Sequence, residues 1–240
     1  MDHLVVGVLG ASGGLGVSSL AVALAVRAAR LHGVTACVDG TTAGGGPAGG
    51  GLDVTACIEH LPGLRWCDLA DAQGALDGAA LLRSLPGEGS VRVLAARAER
   101  PTMAVMAAAV SALAEVCAVT VVDLGRSVEP AQWCTEVVVV SGLTARQLAD
   151  ASAVVPEVLR QAPAAGLVIR AGRHDPFQPE DVAAHLDLPL AAVLADDPRA
   201  LTDADRALLP GARRGSALTR AADRVLSTFA LSALPAPALP

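Results

Sequence analysis

The sequence predicts a doubly wound α/β domain: one mostly parallel sheet with helices on both faces. Three observations carry that prediction. Short, β-rich apolar runs alternate with segments of helical period along the chain. The apolar runs are continuous instead of alternating with polar residues, which is the pattern of strands buried on both faces. The first run, "LVVGVL", passes through the glycine turn "GASGGLGVSS" straight into the helical segment "LAVALAVRAAR".

Strands are expected at 3–9, 34–39, 91–95, 118–124, 136–141, 167–170 and 190–194, with helices at 18–31, 101–116, 144–161 and 179–186 between them. Pro101 suits a first helical turn, and Thr144 is an N-cap for "ARQLADA". Pro156 should kink its helix. The segment 103–122, "MAVMAAAVSALAEVCAVTVV", approaches the length of a membrane span. It is alanine-rich, contains Glu115 and runs into Asp123, so it reads as a helix followed by a buried strand. "TTAGGGPAGGG" at 41–51 is a flexible loop, because ordering its six glycines would cost much backbone entropy. A last helix at about 216–231 places Leu218, Ala222, Val225 and Phe229 on one stripe and Arg220 and Arg224 off it. Docking on the core explains that stripe better than lying on a membrane surface, which stays open as a peripheral contact. Right-handed crossovers would put the strand carboxyl ends, and any ligand, along one edge.

The 240 residues suit one domain, placed at 1–233, with the tail "LPAPALP" at 234–240 read as disordered. A formal charge of −6 argues against a general polyanion binder, and two Trp and two Phe are too few for a base-stacking platform, so specific nucleic-acid binding is not expected. The late arginines Arg213, Arg214, Arg220 and Arg224 read as a solvated helix face. Five cysteines form no CxxC pair and suit a reduced, cytoplasmic protein with buried thiols. The five histidines show no ligand spacing, and the N-terminus shows no secretion signal. All 18 basic residues are arginine. The chain therefore has no Schiff-base amine and no phosphate-loop lysine.

A phosphate loop combines converging backbone N–H groups, the positive end of a helix, a lysine on the β and γ oxygens, and a Ser/Thr on magnesium. Gly13, Gly14, Leu15, Gly16, Val17, Ser18 and Ser19 keep the turn and the hydroxyls. The pattern GxxxxGK[ST] fails at its first position, Ala11, and at its lysine, Val17. Asp39 and Asp123 end strands at the ligand-binding edge and join Ser18 as candidate magnesium ligands. Asp53 is expected to cap a helix or order its loop.

The stretch "SGGLGVSS" resembles the deviant Walker A sequence KGGxGKTT of the MinD/ParA ATPases. "TACVDGT" is similar to that family's DxD switch segment, "GGLDVTACIE" to its nLDxxLG continuation, and "VTVVDLG" to its Walker B strand ending in aspartate. "LPLAAVLADDPRALTDADR" is similar to the late segment lPlLGxIPeDxxvxxA, so the resemblance spans nearly the whole chain. "GLRWCDLADAQGALDGAALLRSLP" and "EVVVVSGLTARQLADA" look closest to the CpaE/TadZ-like branch, which includes septum-site-determining and Flp pilus localisation proteins. Many members of that branch carry a receiver-like domain ahead of the ATPase fold, whereas here the first expected strand comes at once.

The resemblance implies a cytoplasmic spatial regulator at a pole or septum, a homodimer that binds ATP and Mg2+ and meets a pilus or secretion ATPase or division proteins. It also exposes what is missing. Relatives have lysines at the positions of Ser12 and Val17 and a water-positioning aspartate at that of Thr41. Losing a transition-state cation in phosphoryl transfer costs on the order of 10³–10⁵ in rate, so little or no ATPase activity is expected. Arg126, just after "VVDLG", is the nearest obvious substitute cation. Three readings stay open: a nucleotide-binding localiser with degenerate catalysis, an ATPase using Arg126 or a partner's residue, and a scaffold whose turn binds nothing.

Overall fold

Seven parallel strands form one sheet in the order β3-β2-β4-β1-β5-β6-β7. They are β1 (Val5–Gly10), β2 (Thr35–Asp39), β3 (Val91–Leu94), β4 (Val119–Gly125), β5 (Glu136–Ser141), β6 (Ala165–Ala171) and β7 (Leu190–Ala195). The helices are α1 (Val17–His32), α2 (Leu52–Thr55), α3 (Gly78–Ser84), α4 (Met103–Val116), α5 (Ala145–Gln161), α6 (Pro179–Leu186), α7 (Ala200–Asp205) and α8 (Ala217–Thr228). The computed structural model describes residues 3–42, 51–97, 100–172 and 175–228. The tail at 234–240, most of the glycine-rich loop and Phe229 lie outside them.

Burial on both faces explains the unbroken apolar runs. Along β1, Val6 and Val8 enter one apolar layer with α1, α8 and Leu194 of β7. Val5 and Leu9 enter the opposite layer with α4, α5 and the fully buried Trp66. The α8 stripe lies in the first layer: Ala222 and Val225 are fully buried and Leu218 packs against them. These three positions of the stripe pack on the core, in line with the docked reading. No helix among the described residues is long and apolar enough to cross a membrane.

Local chemistry sets several boundaries. Thr144 caps α5 through Gln147 N–H, and the Gln147 side chain accepts in return from Thr144 N–H. The helix continues through Pro156 to Gln161. Pro101 lies before the cap: Thr102 is the N-cap of α4, and Met103 its first residue. A hydroxyl acceptor serves the orphan N–H groups, which proline cannot do. The cysteines are all free, and three are buried, but Cys57 is half-buried and Cys67 exposed, against the expectation of buried thiols throughout.

The strand order reverses direction across β1, whose neighbours are β4 and β5. In open α/β sheets ligands bind at the carboxyl ends of strands at such a switch point. The glycine loop leaves β1 there.

Candidate functional site

The loop from Ala11 to Gly16 is anchored at its start by Ala11 N–H donating to Val140 C=O, 2.9 Å. Gly14 (φ +76°) and Gly16 (φ +80°) occupy the left-handed region, which glycine enters without steric cost. Gly16 is the N-cap of α1 and offers no side-chain cap, and the first turn of α1 has no acidic residue. The helix therefore begins with its amides uncapped. Among the described residues, no carbonyl or side chain accepts from the N–H groups of Gly13, Gly14, Gly16, Val17, Ser18 or Ser19 within ordinary hydrogen-bond geometry. Apart from the chain neighbours, nothing lies within 4 Å of where a Cβ on Gly13 or Gly14 would stand. The Val17 side chain packs inward: its Cγ2 lies 2.7 Å from the place a Cβ on Gly10 would take, and it joins the apolar layer with Leu15. A row of unused amides at a helix start suits phosphate oxygens.

Two carboxylates stand beside the loop. Asp39 and Asp123 are register partners at the ends of β2 and β4, and both are almost fully buried. Burial pushes the Asp123 carboxyl up to about 6, against hydrogen bonds from the Ser18 hydroxyl and Gly125 N–H that favour its charged form. The neighbouring Asp39 raises it further and Arg100 lowers it. Asp39 Oδ1 accepts from Thr41 N–H at 3.1 Å and the Thr41 hydroxyl at 2.8 Å. Arg100 grips both Asp39 oxygens, Nη1 to Oδ1 at 3.1 Å and Nη2 to Oδ2 at 3.3 Å, and also donates to Thr41 C=O. Trp66 fixes the same corner from below, its indole N–H donating to Asp39 C=O at 2.7 Å.

The structure thus brings Ser18, Asp39 and Asp123 to one corner. Hard oxygen donors of this kind suit Mg2+, which keeps several waters and substrate phosphates in its shell. Among the described residues no three His, Cys, Asp or Glu side chains converge as a metal cage. Asp123 and Ser18 fit such an ion; Asp39 meets it already paired with a cation.

Ser12, at the lysine position, donates its hydroxyl to Asp150 Oδ2 at 2.7 Å, and Arg146 donates to Oδ1 at 3.3 Å. The Ser12 bond, more than the nearby Arg146 and Arg126, holds the Asp150 carboxyl below its ordinary value. Arg126 is exposed after β4. The guanidinium beside Gly16 belongs instead to Arg170 at the end of β6, whose Nη1 lies 3.2 Å from where a Gly16 Cβ would stand and whose Nη2 pairs with Asp196 at 3.1 Å. Arg100 and Arg170 are the cations that sequence reasoning missed. For Arg170 the available signal was an arginine at a strand's carboxyl end; for Arg100 there was none. Beside Ser19 lies a groove of about 370 Å³ between α2 and α7, lined also by Val54, Asp197 and Arg213. Asp53 lies within α2, whose N-cap is Gly51, and ties that helix to its surroundings: nearly fully buried, it pairs with Arg65 at 3.3 Å and Arg97 at 3.2 Å. Arg213 is no free patch cation, since it pairs with Asp197 and with Asp203.

No protein-family model matches the sequence. The chain is 33% identical over 234 residues to uncharacterized protein Rv3660c of Mycobacterium tuberculosis H37Rv, and equally to its counterpart in strain CDC 1551. The match covers 94% of this chain and 63% of those relatives, so the chain spans less than two thirds of their length. Among solved structures, a ParA family ATPase from Chlorobium tepidum superposes with a TM-score of 0.75 at 15% identity, covering 94% of this chain and 98% of that one. MinD of Aquifex aeolicus in its MinC:MinD complex gives 0.71 at 15% identity, covering 99% and 98%. The septum site-determining protein MinD of Pyrococcus horikoshii, complexed with Mg-ADP, gives 0.65 at 17% identity, covering 95% and 97%. With its seven parallel strands in one sheet and helices around it, the chain has the fold of the ParA/MinD-type P-loop ATPases.

Proposed function

We propose that the chain is a spatial regulator of the MinD/ParA type, degenerate in catalysis, in which ATP is a dimer-stabilising ligand and not a consumed fuel. The observation that supports this reading most is the pairing of an intact amide row at Gly13–Ser19 with Ser12 and Val17 where lysines are expected. Backbone donors and a helix dipole bind phosphate, while turnover needs positioned charge at the transition state. In this reading Gly13, Gly14, Leu15, Gly16, Val17, Ser18 and Ser19 hold the phosphates with Arg126 at the rim, and Mg2+ takes Ser18, Asp39 and Asp123 as its protein ligands.

The working unit is the domain at 1–233. Its sequence likeness to the CpaE/TadZ-like branch supports a place at a cell pole or septum, on the cytoplasmic side and peripheral to the inner membrane, with a pilus or secretion ATPase or division proteins as partners. The MinD of Aquifex aeolicus is described with MinC, and a variant of Cyanothece McdA described in complex with ATP shares the fold, which supports nucleotide and partner binding of this type.

Sedimentation velocity tests the reading. A shift from monomer to dimer on adding ATP and Mg2+, with no phosphate release above the protein-free rate, is the expected result. An unchanged sedimentation coefficient at millimolar ATP overturns the dimer-stabilising role.

A further inference from the structure

The corner at Asp39 contains its own cation. Arg100 reaches it from the segment between β3 and α4 and holds both carboxylate oxygens in a two-pronged grip. Its side chain is 17% exposed and that of Asp39 6%, so the pair is shielded from water on most sides. Such bidentate, charge-assisted pairs are among the stronger polar contacts in proteins.

Two further facts bear on what a metal would meet here. Oδ1 of Asp39 already accepts three donors, from Thr41 N–H, the Thr41 hydroxyl and Arg100 Nη1, while Oδ2 accepts Arg100 Nη2. A carboxylate offers about two lone-pair sites on each oxygen, so Oδ1 is fully taken and Oδ2 keeps one direction, beside the Arg100 guanidinium. Charge balance points the same way. With Arg100 in place, Asp39, Asp123 and the guanidinium carry one net negative charge. Adding a divalent ion would enclose one net positive charge, whereas exchanging Arg100 for the ion would leave the cluster neutral. Enclosed unbalanced charge is strongly disfavoured.

We infer that Arg100 is a resident counter-cation that gates divalent-ion binding at Asp39 and Asp123: the ion takes Asp39 only when Arg100 lets go. The inference rests on the proposed metal set Ser18, Asp39 and Asp123, and not on nucleotide binding. Arg100 supplies positive charge to a corner with two buried carboxylates.

Mn2+ alone is the probe, followed by the loss of its free-ion electron paramagnetic resonance signal on titrating the wild-type chain, Arg100→Gln and the double variant Arg100→Gln/Asp123→Asn. Circular dichroism confirms that each is folded. The expected result is at least tenfold tighter Mn2+ binding in Arg100→Gln than in wild type, lost again in the double variant. Should Arg100→Gln not fold, Arg100→Lys carries the test, because it keeps a cation but loses the fork, and at least threefold tightening is expected. Wild type binding Mn2+ as tightly as the Arg100 variant, through Asp123, overturns the gate and leaves the metal set standing. Binding by none of the variants overturns the metal set and the gate together, while ATP binding to the same proteins reports separately on the amide row.

Discussion

Trp66 lies fully buried beneath Asp39 and donates its indole N–H to the Asp39 carbonyl at 2.7 Å. The largest buried side chain thus braces the strand end that presents the site's most heavily bonded carboxylate. Trp66→Phe keeps most of the apolar volume but leaves that carbonyl without its donor. Loss of about 1–3 kcal/mol in stability is expected, rising to roughly 3–5 kcal/mol for Trp66→Ala, both read from urea unfolding midpoints. A Trp66→Phe chain as stable as wild type would show that the bond contributes nothing.

Asp123 gives stability a pH dependence of unusual sign. Its carboxyl titrates at about 6 in the folded chain, above its ordinary 3.8, so between pH 4 and 6 the folded state binds more protons than the unfolded one. This group therefore destabilises the fold progressively as pH rises through that window, and fully above it. Asp123→Asn should stabilise the metal-free chain by on the order of 2–3 kcal/mol at pH 7.5 and hardly at all at pH 4. Denaturant unfolding at the two pH values checks this. Equal or lower stability of the variant at pH 7.5 contradicts the burial account.

Restoring one lysine probes the loop. Val17 is the first residue of α1, directly after the Gly16 cap, and its side chain packs beside Gly10. Val17→Lys should tighten fluorescent ATP binding at least tenfold, at a stability cost of roughly 1–2 kcal/mol for the lost apolar packing. Unchanged affinity would mean that phosphates do not sit over Gly13–Ser19.

Asp53 and its two arginines form a structural ion cluster. Arg65 is buried with Asp53 and also donates to the carbonyls of Ile58, Leu61, Gly63 and Leu64. Arg65→Met leaves Asp53 with the half-exposed Arg97 as its guanidinium partner among the described residues. Breaking a buried pair costs about 3–5 kcal/mol, a loss that thermal unfolding would register. Nucleotide affinity of the folded fraction should stay unchanged.

The strands were legible because burial on both faces leaves continuous runs such as "LVVGVL" and "EVVVVS", and the long helices because their caps and periods agree. Short elements were not. Of the six residues in α7, none is buried, so it has no apolar stripe to read, and α2 has only four residues. Pro101 misled by two positions because Thr102 outcompetes it as a cap and Met103 opens the helix. The site divides in the same way. Its amide row follows from local glycine chemistry, and Asp39 and Asp123 follow from their strand ends. Arg100 reaches Asp39 across 61 positions and Arg170 reaches Gly16 across the sheet. Such approaches depend on the tertiary path of the chain, which no local pattern encodes. Arg126, chosen for its closeness in sequence to Asp123, is exposed and close enough to Asp150, the partner of Ser12, to help hold that carboxyl below its ordinary value.

Titration of the chain with a fluorescent ATP analogue and Mg2+, with phosphate release followed in the same cuvette, addresses the amide row and the absent lysines together. Saturable binding below millimolar concentration with no phosphate release above background is the expected outcome. Failure to saturate at millimolar nucleotide would leave the loop a structural turn, and steady phosphate release would show that another cation has taken over the lysines' work.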